Sequence, residues 1–144
     1  SAARMVGAEL SLAVNPTTWL RLDAGYGLLH ARRTDRDAPD HRLQYRPAHK
    51  ATLRLRLSPW PRWGELSSQL RVIGPQPFIH PETTAWGELG TYLVWDARLT
   101  LTPLSWVETW IRARNITDAN YQTKFGFPDA GRQVWVGLKV SWDA

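Results

Sequence analysis

Apolar and polar residues alternate with a period of two along most of the chain, the mark of β-strands with two unlike faces. Ala8, Leu10, Leu12 and Val14 alternate with Glu9, Ser11 and Ala13, and Leu20, Leu22, Ala24, Tyr26 and Leu28 with Arg21, Asp23, Gly25 and Gly27. Ala51, Leu53, Leu55 and Leu57 oppose Lys50, Thr52, Arg54 and Arg56, and Leu66, Ser68, Leu70 and Val72 oppose Glu65, Ser67, Gln69 and Arg71. Leu93, Trp95, Ala97, Leu99 and Leu101 oppose Asp96, Arg98 and Thr100, and a weaker segment sets Val107, Thr109, Ile111 and Ala113 against Glu108, Trp110, Arg112 and Arg114. The last places Val134, Val136, Leu138, Val140 and Trp142 on one side and Gln133, Gly137, Lys139 and Ser141 on the other. The pattern predicts an all-β chain of seven strands, and no segment has a helical period.

Short turns are expected at Asn15-Pro16, at Ser58-Pro59-Trp60-Pro61 and at Thr102-Pro103-Leu104, where proline fixes φ and stops the ladder. Between them lie long polar loops at 32–47, 74–90 and 116–131. Short turns at one end and long loops at the other describe an antiparallel up-and-down sheet of the kind found in bacterial outer-membrane barrels. The strands run to about ten residues, enough to cross a bilayer at a tilt, where globular strands have about five or six. Trp19, Trp60, Trp63, Trp106 and Trp142 fall at or near the short-turn end, as an interfacial aromatic girdle would. A soluble β-sandwich also alternates and stands as the rival, but it would spread its tryptophans through a core.

Composition narrows the classes. The 144 residues hold nine tryptophans and no cysteine, which excludes disulfides and thiolate metal sites. No run of about 18 apolar residues offers a transmembrane helix, and the opening SAARMVGAEL is not a signal peptide. The net charge of +5 comes from Lys and Arg scattered over strand positions, so no nucleic-acid partner is expected. His30, His41, His49 and His80 have no metal-site spacing, and no nucleophile elbow or phosphate loop occurs. No metal, no cofactor and no enzymatic activity are expected. The polar face carries Arg21, Lys50, Arg54, Arg56, Arg71, Arg98, Arg112, Arg114 and Lys139 against Asp23, Glu65, Asp96 and Glu108. That excess attracts anions unless the charges are spent on one another. Tyr45, Phe78, Trp86 and Tyr121 in or beside the loops, with Trp110 and Arg112 on the polar face, are the candidate ligand contacts.

Three segments carry a resemblance. Arg46-Pro47-Ala48-His49 resembles the R-P-x-H segment with which TonB-dependent outer-membrane receptors re-enter a strand. Asn115-Ile116-Thr117-Asp118-Ala119-Asn120-Tyr121 is similar to their N-L-x-D-x-x-Y segment, with Ile for Leu. Gly126-Phe127-Pro128-Asp129-Ala130-Gly131-Arg132 resembles the G-[YF]-P-x-x-G-R segment before the final strand. The physical reading gives Gly126 and Gly131 tight turns, Pro128 a stiffening role, and Asn115 and Asp118 hydrogen bonds to backbone groups where the ladder ends. The terminal Val136, Leu138, Val140 and Trp142 resemble the family's signal to the barrel-assembly machinery, although Asp143 and Ala144 follow the aromatic residue.

The resemblance implies that residues 1–144 are the C-terminal portion of a 22-stranded barrel, with the plug domain outside this chain. It implies an active importer in the bacterial outer membrane, its C-terminus periplasmic, taking up a ferric siderophore or similar scarce chelate. The implied partners are the remaining strands, the plug, the TonB-ExbB-ExbD system acting through the plug, the assembly machinery and outer-membrane lipid. An odd number of strands with unpaired edges cannot stand alone in lipid, so the missing strands are expected elsewhere. A plug-less binding or adhesion barrel is the other membrane reading.

Overall fold

The computed structural model describes residues 3–34, 41–60 and 62–142. Among them the strands are β1 (Ala3–Thr17), β2 (Leu20–Arg33), β3 (His49–Trp60), β4 (Gly64–Ile73), β5 (Gln76–Ile79), β6 (Trp86–Leu89), β7 (Tyr92–Leu104), β8 (Val107–Arg114), β9 (Gln122–Lys124), β10 (Phe127–Pro128) and β11 (Gln133–Val140). Seven of them form one antiparallel up-and-down sheet in the order β1-β2-β3-β4-β7-β8-β11. These are the seven segments of alternating sequence, and the described residues contain no helix.

Register preserves the two faces across the whole sheet. Arg21 lies opposite Arg56, Arg56 opposite Ser67, Ser67 opposite Arg98, Arg98 opposite Arg112 and Arg112 opposite Trp135. On the other face Leu53 is opposite Leu70 and Leu70 opposite Trp95. A one-residue slip would carry Arg21, Arg56, Arg98 and Arg112 to the apolar face, so patterning fixes the pairing. The apolar face has no second sheet against it: Leu10, Leu12, Val136 and Leu138 are at least 60% exposed. This is a single layer, and a two-sheet sandwich is excluded for the described residues.

The prolines act differently from expectation. β1, β3 and β7 run through Pro16, Pro59 and Pro103, and the register shifts there, between Val14 and Thr17, Leu57 and Trp60, and Leu101 and Leu104. A residue without an N–H interrupts the ladder at a bulge and the strand continues past it. The chain reverses one step later, at Thr18-Trp19, at Arg62-Trp63 and at Ser105-Trp106, while Pro61 lies outside the described residues. Each turn tryptophan then offers its carbonyl to the next hairpin: Ser58 N–H donates to Trp19 O at 2.8 Å, Thr102 to Trp63 at 2.8 Å and Ser141 to Trp106 at 2.9 Å. The five turn-end indoles are exposed, as a girdle requires. Trp142 lies beyond β11, which stops at Val140, so the expected strand is two residues too long.

Aromatic groups also mark the loop end of the apolar face. Tyr26 Oη and His49 Nδ1 are 2.6 Å apart, and Trp95 donates its indole N–H to Ser68 Oγ at 2.8 Å. That bond satisfies a polar group on a surface otherwise fit for hydrocarbon. Trp95→Phe is expected to cost about 1 kcal/mol, because it strands the hydroxyl. The check is urea unfolding of the refolded full-length protein.

Buried residues are few and gather at the loop end: Pro47, Gly74, Gln76, Phe78, Val94 and Asn115. They exist because two of the long loops are folded. The 74–90 loop contains the β5–β6 hairpin and the 116–131 loop contains β9–β10, where plain loops were expected. The 32–47 loop lies partly outside the described residues.

Candidate functional site

Two groups of residues carry chemistry: the polar wall of the sheet and the folded loops at its end. On the wall, register aligns Arg21, Arg56, Arg98 and Arg112 in one row. Like charges so placed repel, and each guanidinium is drawn off the row by a partner. Arg21 binds Asp23 at 2.7 Å and Arg56 lies 3.5 Å from Glu65. Arg98 donates to Thr100 Oγ1 at 3.2 Å and lies over the Trp110 ring, 5.0 Å from its centre, while Arg112 lies 5.9 Å from the centre of Trp135. Indole faces hold cations without neutralising them, so the wall retains positive field where Arg98 and Arg112 stand. Asp23, Arg54, Arg56, Asp96, Arg98 and Arg112 line a basin of about 380 Å³ there.

Trp110 lies flat against the sheet because Gly137, opposite it in register, leaves room; a Cβ at 137 would fall within the indole ring. Trp110 and Arg112 therefore belong to the wall and not to the loop group. Trp135, absent from the expected contacts, faces the same way; the alternation that puts Gly137 on the polar side is the signal for it.

Asp96 ties the wall to the loops. Its Oδ2 accepts from Arg71 at 3.0 Å and its Oδ1 from the Asn115 N–H at 2.9 Å. Asp96→Ala is expected to cost about 1–2 kcal/mol, discounted because both side chains are partly exposed. Asp96→Asn should cost about half as much, since its carbonyl still accepts from Asn115. Comparing the two unfolding curves separates the ion pair from the backbone bond.

Asn115 is 3% exposed and has a φ of 50°, left-handed backbone that Asn tolerates better than most residues. Its Oδ1 accepts the Ala119 N–H at 3.0 Å, and its Nδ2 donates to Ala119 O at 3.0 Å and Ala130 O at 3.3 Å. Asp118, also left-handed at φ 52°, accepts the Arg132 N–H at 2.8 Å and lies 3.9 Å from its guanidinium. The motif thus staples both ends of the 116–131 loop together. Gly126 turns at φ +81°, as its place predicts. Gly131 does not have a positive φ; it is small because Asp118 Oδ1 would stand 3.0 Å from a Cβ there. Pro128 lies in β10.

At the top, Phe78 stacks on Phe125 at 4.4 Å, with His80 tilted 4.8 Å from the same ring, and Tyr92 stacks on Tyr121 at 4.4 Å. Phe78 is 6% exposed, its ring against Gly87. Burial, then the nearby Asp129 carboxylate, pushes the Tyr121 phenol above its ordinary value, so it stays a neutral donor. Tyr45 has φ 54° and gives its N–H to Pro77 O at 2.8 Å, and Arg42 lies over the Trp86 ring at 4.7 Å. Arg46 is exposed beside buried Pro47, and β3 starts at His49. Phe125, Tyr92, His80 and Gln76 were not legible as members of this cluster. Their partners are distant in sequence.

No protein-family model matches the sequence, and none of the curated proteins does. Solved structures do. The closed form of the ferric-catecholate import receptor Fiu from E. coli K12 superposes with a TM-score of 0.78 at 21% identity, covering 96% of this chain and 21% of that one. The ferripyoverdine receptor of the Pseudomonas aeruginosa outer membrane, bound to ferripyoverdine, gives 0.77 at 15% identity over 96% of this chain and 19% of that one. The ferric yersiniabactin uptake receptor FyuA from Yersinia pestis gives 0.70 at 20% identity over 94% and 23%. The chain spans about one fifth of the length of these receptors, and at such identities the likeness establishes the fold.

Proposed function

We propose that residues 1–144 are the C-terminal wall of the barrel of a TonB-dependent outer-membrane importer, acting on a ferric siderophore or similar scarce chelate. The observation that carries this is the single seven-stranded sheet with one face free of charge over the height of a bilayer, superposable on iron-chelate receptors over 96% of its length. On β7, nine residues separate Trp95 from Leu104. At about 3.3 Å each and a tilt near 40° they rise roughly 23 Å, close to the band of about 25 Å that such barrels present to lipid.

In this reading the tryptophan end faces the periplasm, the folded loops face outside, and the polar wall faces the lumen. β1 and β11 each pair on one side only. Their free edges require further strands, and the plug would rest against the arginine wall. The plug carries the coupling to TonB-ExbB-ExbD, while β11 presents Val136, Leu138 and Val140 to the assembly machinery. The reading assigns no catalytic step, no metal and no nucleic acid.

The test is uptake by the full-length polypeptide in an outer membrane. Accumulation of radiolabelled iron chelates that stops when TonB is deleted is the expected result. Uptake independent of TonB points to a plug-less barrel, and a full-length product that is soluble and monomeric without detergent defeats the membrane reading.

A further inference from the structure

The basin on the polar wall holds more positive charge than the wall neutralises. Asp23, Arg54, Arg56, Asp96, Arg98 and Arg112 line its volume of about 380 Å³. Asp23 is engaged by Arg21 at 2.7 Å, and Asp96 gives its two oxygens to Arg71 and to the Asn115 N–H. Arg56 has Glu65 at 3.5 Å. Among the described residues Arg54, Arg98 and Arg112 then have no ion-pair partner. Arg54 is opposite Asp23, and about 33 Å of strand separates that row from Arg33. Asp35, Asp37 and Asp40 lie between Thr34 and His41 in sequence, and the His41 carbonyl accepts from Arg33 N–H at 2.7 Å. A loop of that length reaches roughly 13 Å from its ends and falls short of the basin.

Arg98 and Arg112 are direct partners in register. Like charges so placed are destabilising, and an anion shared between them reverses the sign. Each lies over an indole, Arg98 at 5.0 Å from the centre of Trp110 and Arg112 at 5.9 Å from that of Trp135. A ring face fixes the plane of a guanidinium and leaves free the N–H edge that grips a carboxylate with two parallel bonds. Arg98 spends only its Nε, on Thr100 Oγ1 at 3.2 Å. Two such forks and the Arg54 guanidinium call for two or three carboxylates. A basin of about 380 Å³ is at the small end of ligand sites, so those carboxylates must sit on a short carbon skeleton or on side chains.

Resting on the reading above that the polar wall faces an aqueous lumen, we infer that Arg54, Arg98 and Arg112 form a binding site for a small cluster of carboxylates. A polycarboxylate solute and acidic side chains from the rest of the polypeptide offer the same chemistry, and the experiment separates the two sources.

The experiment is calorimetric titration of the full-length polypeptide, refolded in detergent, with tricarballylate and with its uncharged triamide. Tricarballylate should bind, and the triamide at least about tenfold more weakly, having no charge to pair. Arg98→Met and Arg112→Met keep the stem against the indole and remove the charge. Each should weaken tricarballylate by roughly tenfold, the low end for hydrogen bonds to a charged group. Lys139→Met removes the same charge from the same face outside the basin and should stay within about twofold, because that position is screened from the site. If carboxylates of the polypeptide itself fill the site, tricarballylate does not bind, and Arg112→Met lowers the urea midpoint. Removing an arginine that faces only another arginine would leave that midpoint unchanged or raise it. Equal affinity for the acid and the triamide overturns the inference, as does tricarballylate binding that neither arginine substitution weakens. Absence of binding together with an unchanged or raised midpoint in Arg112→Met overturns it too. Those failures leave an inserted, heat-modifiable barrel intact. A full-length product that stays soluble without detergent fails the lumen reading itself.

Discussion

Asn115→Ala is expected to destabilise the assembled protein by about 3–4 kcal/mol, more than the loss expected of Asp96→Ala. Truncation strands the Ala119 N–H and the Ala119 and Ala130 carbonyls in a site where Asn115 is 3% exposed. At about 1 kcal/mol for each part-buried group left without a partner, the low end of the range, that is roughly 3 kcal/mol. Left-handed backbone at φ 50° adds about 1 kcal/mol for a residue with a Cβ and no local hydrogen bond. Two controls divide the effect. Asn115→Gly relieves the backbone and should recover about 1 kcal/mol, while Asn115→Asp keeps the acceptor for Ala119 N–H and loses both donations. Urea unfolding of the refolded full-length protein measures all three, and proteolysis within 116–131 should rise in the same order. A loss below about 1 kcal/mol in Asn115→Ala would show that the staple contributes little.

Gly137→Val should cost about 2–3 kcal/mol, at the upper end of overpacking penalties, although valine is a good strand residue. The added side chain takes the space of the Trp110 ring, and the indole must leave the sheet and the Arg98 guanidinium above it. A double variant, Gly137→Val with Trp110→Ala, should be less destabilised than the sum of the two single changes, because the atoms nearest the added Cβ all belong to that ring. Trp110 emission should shift to the red in Gly137→Val as the ring enters water. Additive costs would place the strain elsewhere. Because β11 also carries the terminal apolar row, the yield of inserted protein should be reported beside its stability.

The strands were legible because a period of two is a direct property of extended backbone, and a lipid-facing wall keeps it clean over many residues. Arg98 and Arg112 could be placed on one face from sequence, but their partners could not, since Trp110 and Trp135 meet them only across the ladder. Proline misled in two ways. Pro16, Pro59 and Pro103 read as stops and are bulges. Pro77 inside β5 and Pro128 inside β10 argue against strands by the ordinary rule, and both short hairpins lie in segments whose polar composition reads as loop. Glycine misled once: Gly131 reads as a turn and is a place of close approach to Asp118. Asn115 and Asp118 were legible as polar residues at a ladder's end, while the groups they hold, up to fifteen residues away, depend on the fold of the loop.

The bonds from Ser58, Thr102 and Ser141 to the carbonyls of Trp19, Trp63 and Trp106 make each hairpin interchangeable with its neighbour at that end. The β3–β4 and β7–β8 hairpins each offer one acceptor forward and receive on one donor, with a bulge in the same place. Excising the segment from Leu20 to Trp63 as a block would join Trp19 to β4 and bring its carbonyl to the donor at Thr102. The wall can thus lengthen or shorten only in steps of two strands, and such a step leaves the rim unbroken. Circumference becomes a variable that whole hairpins can change, while any odd step leaves the chain at the loop end and breaks the stitching.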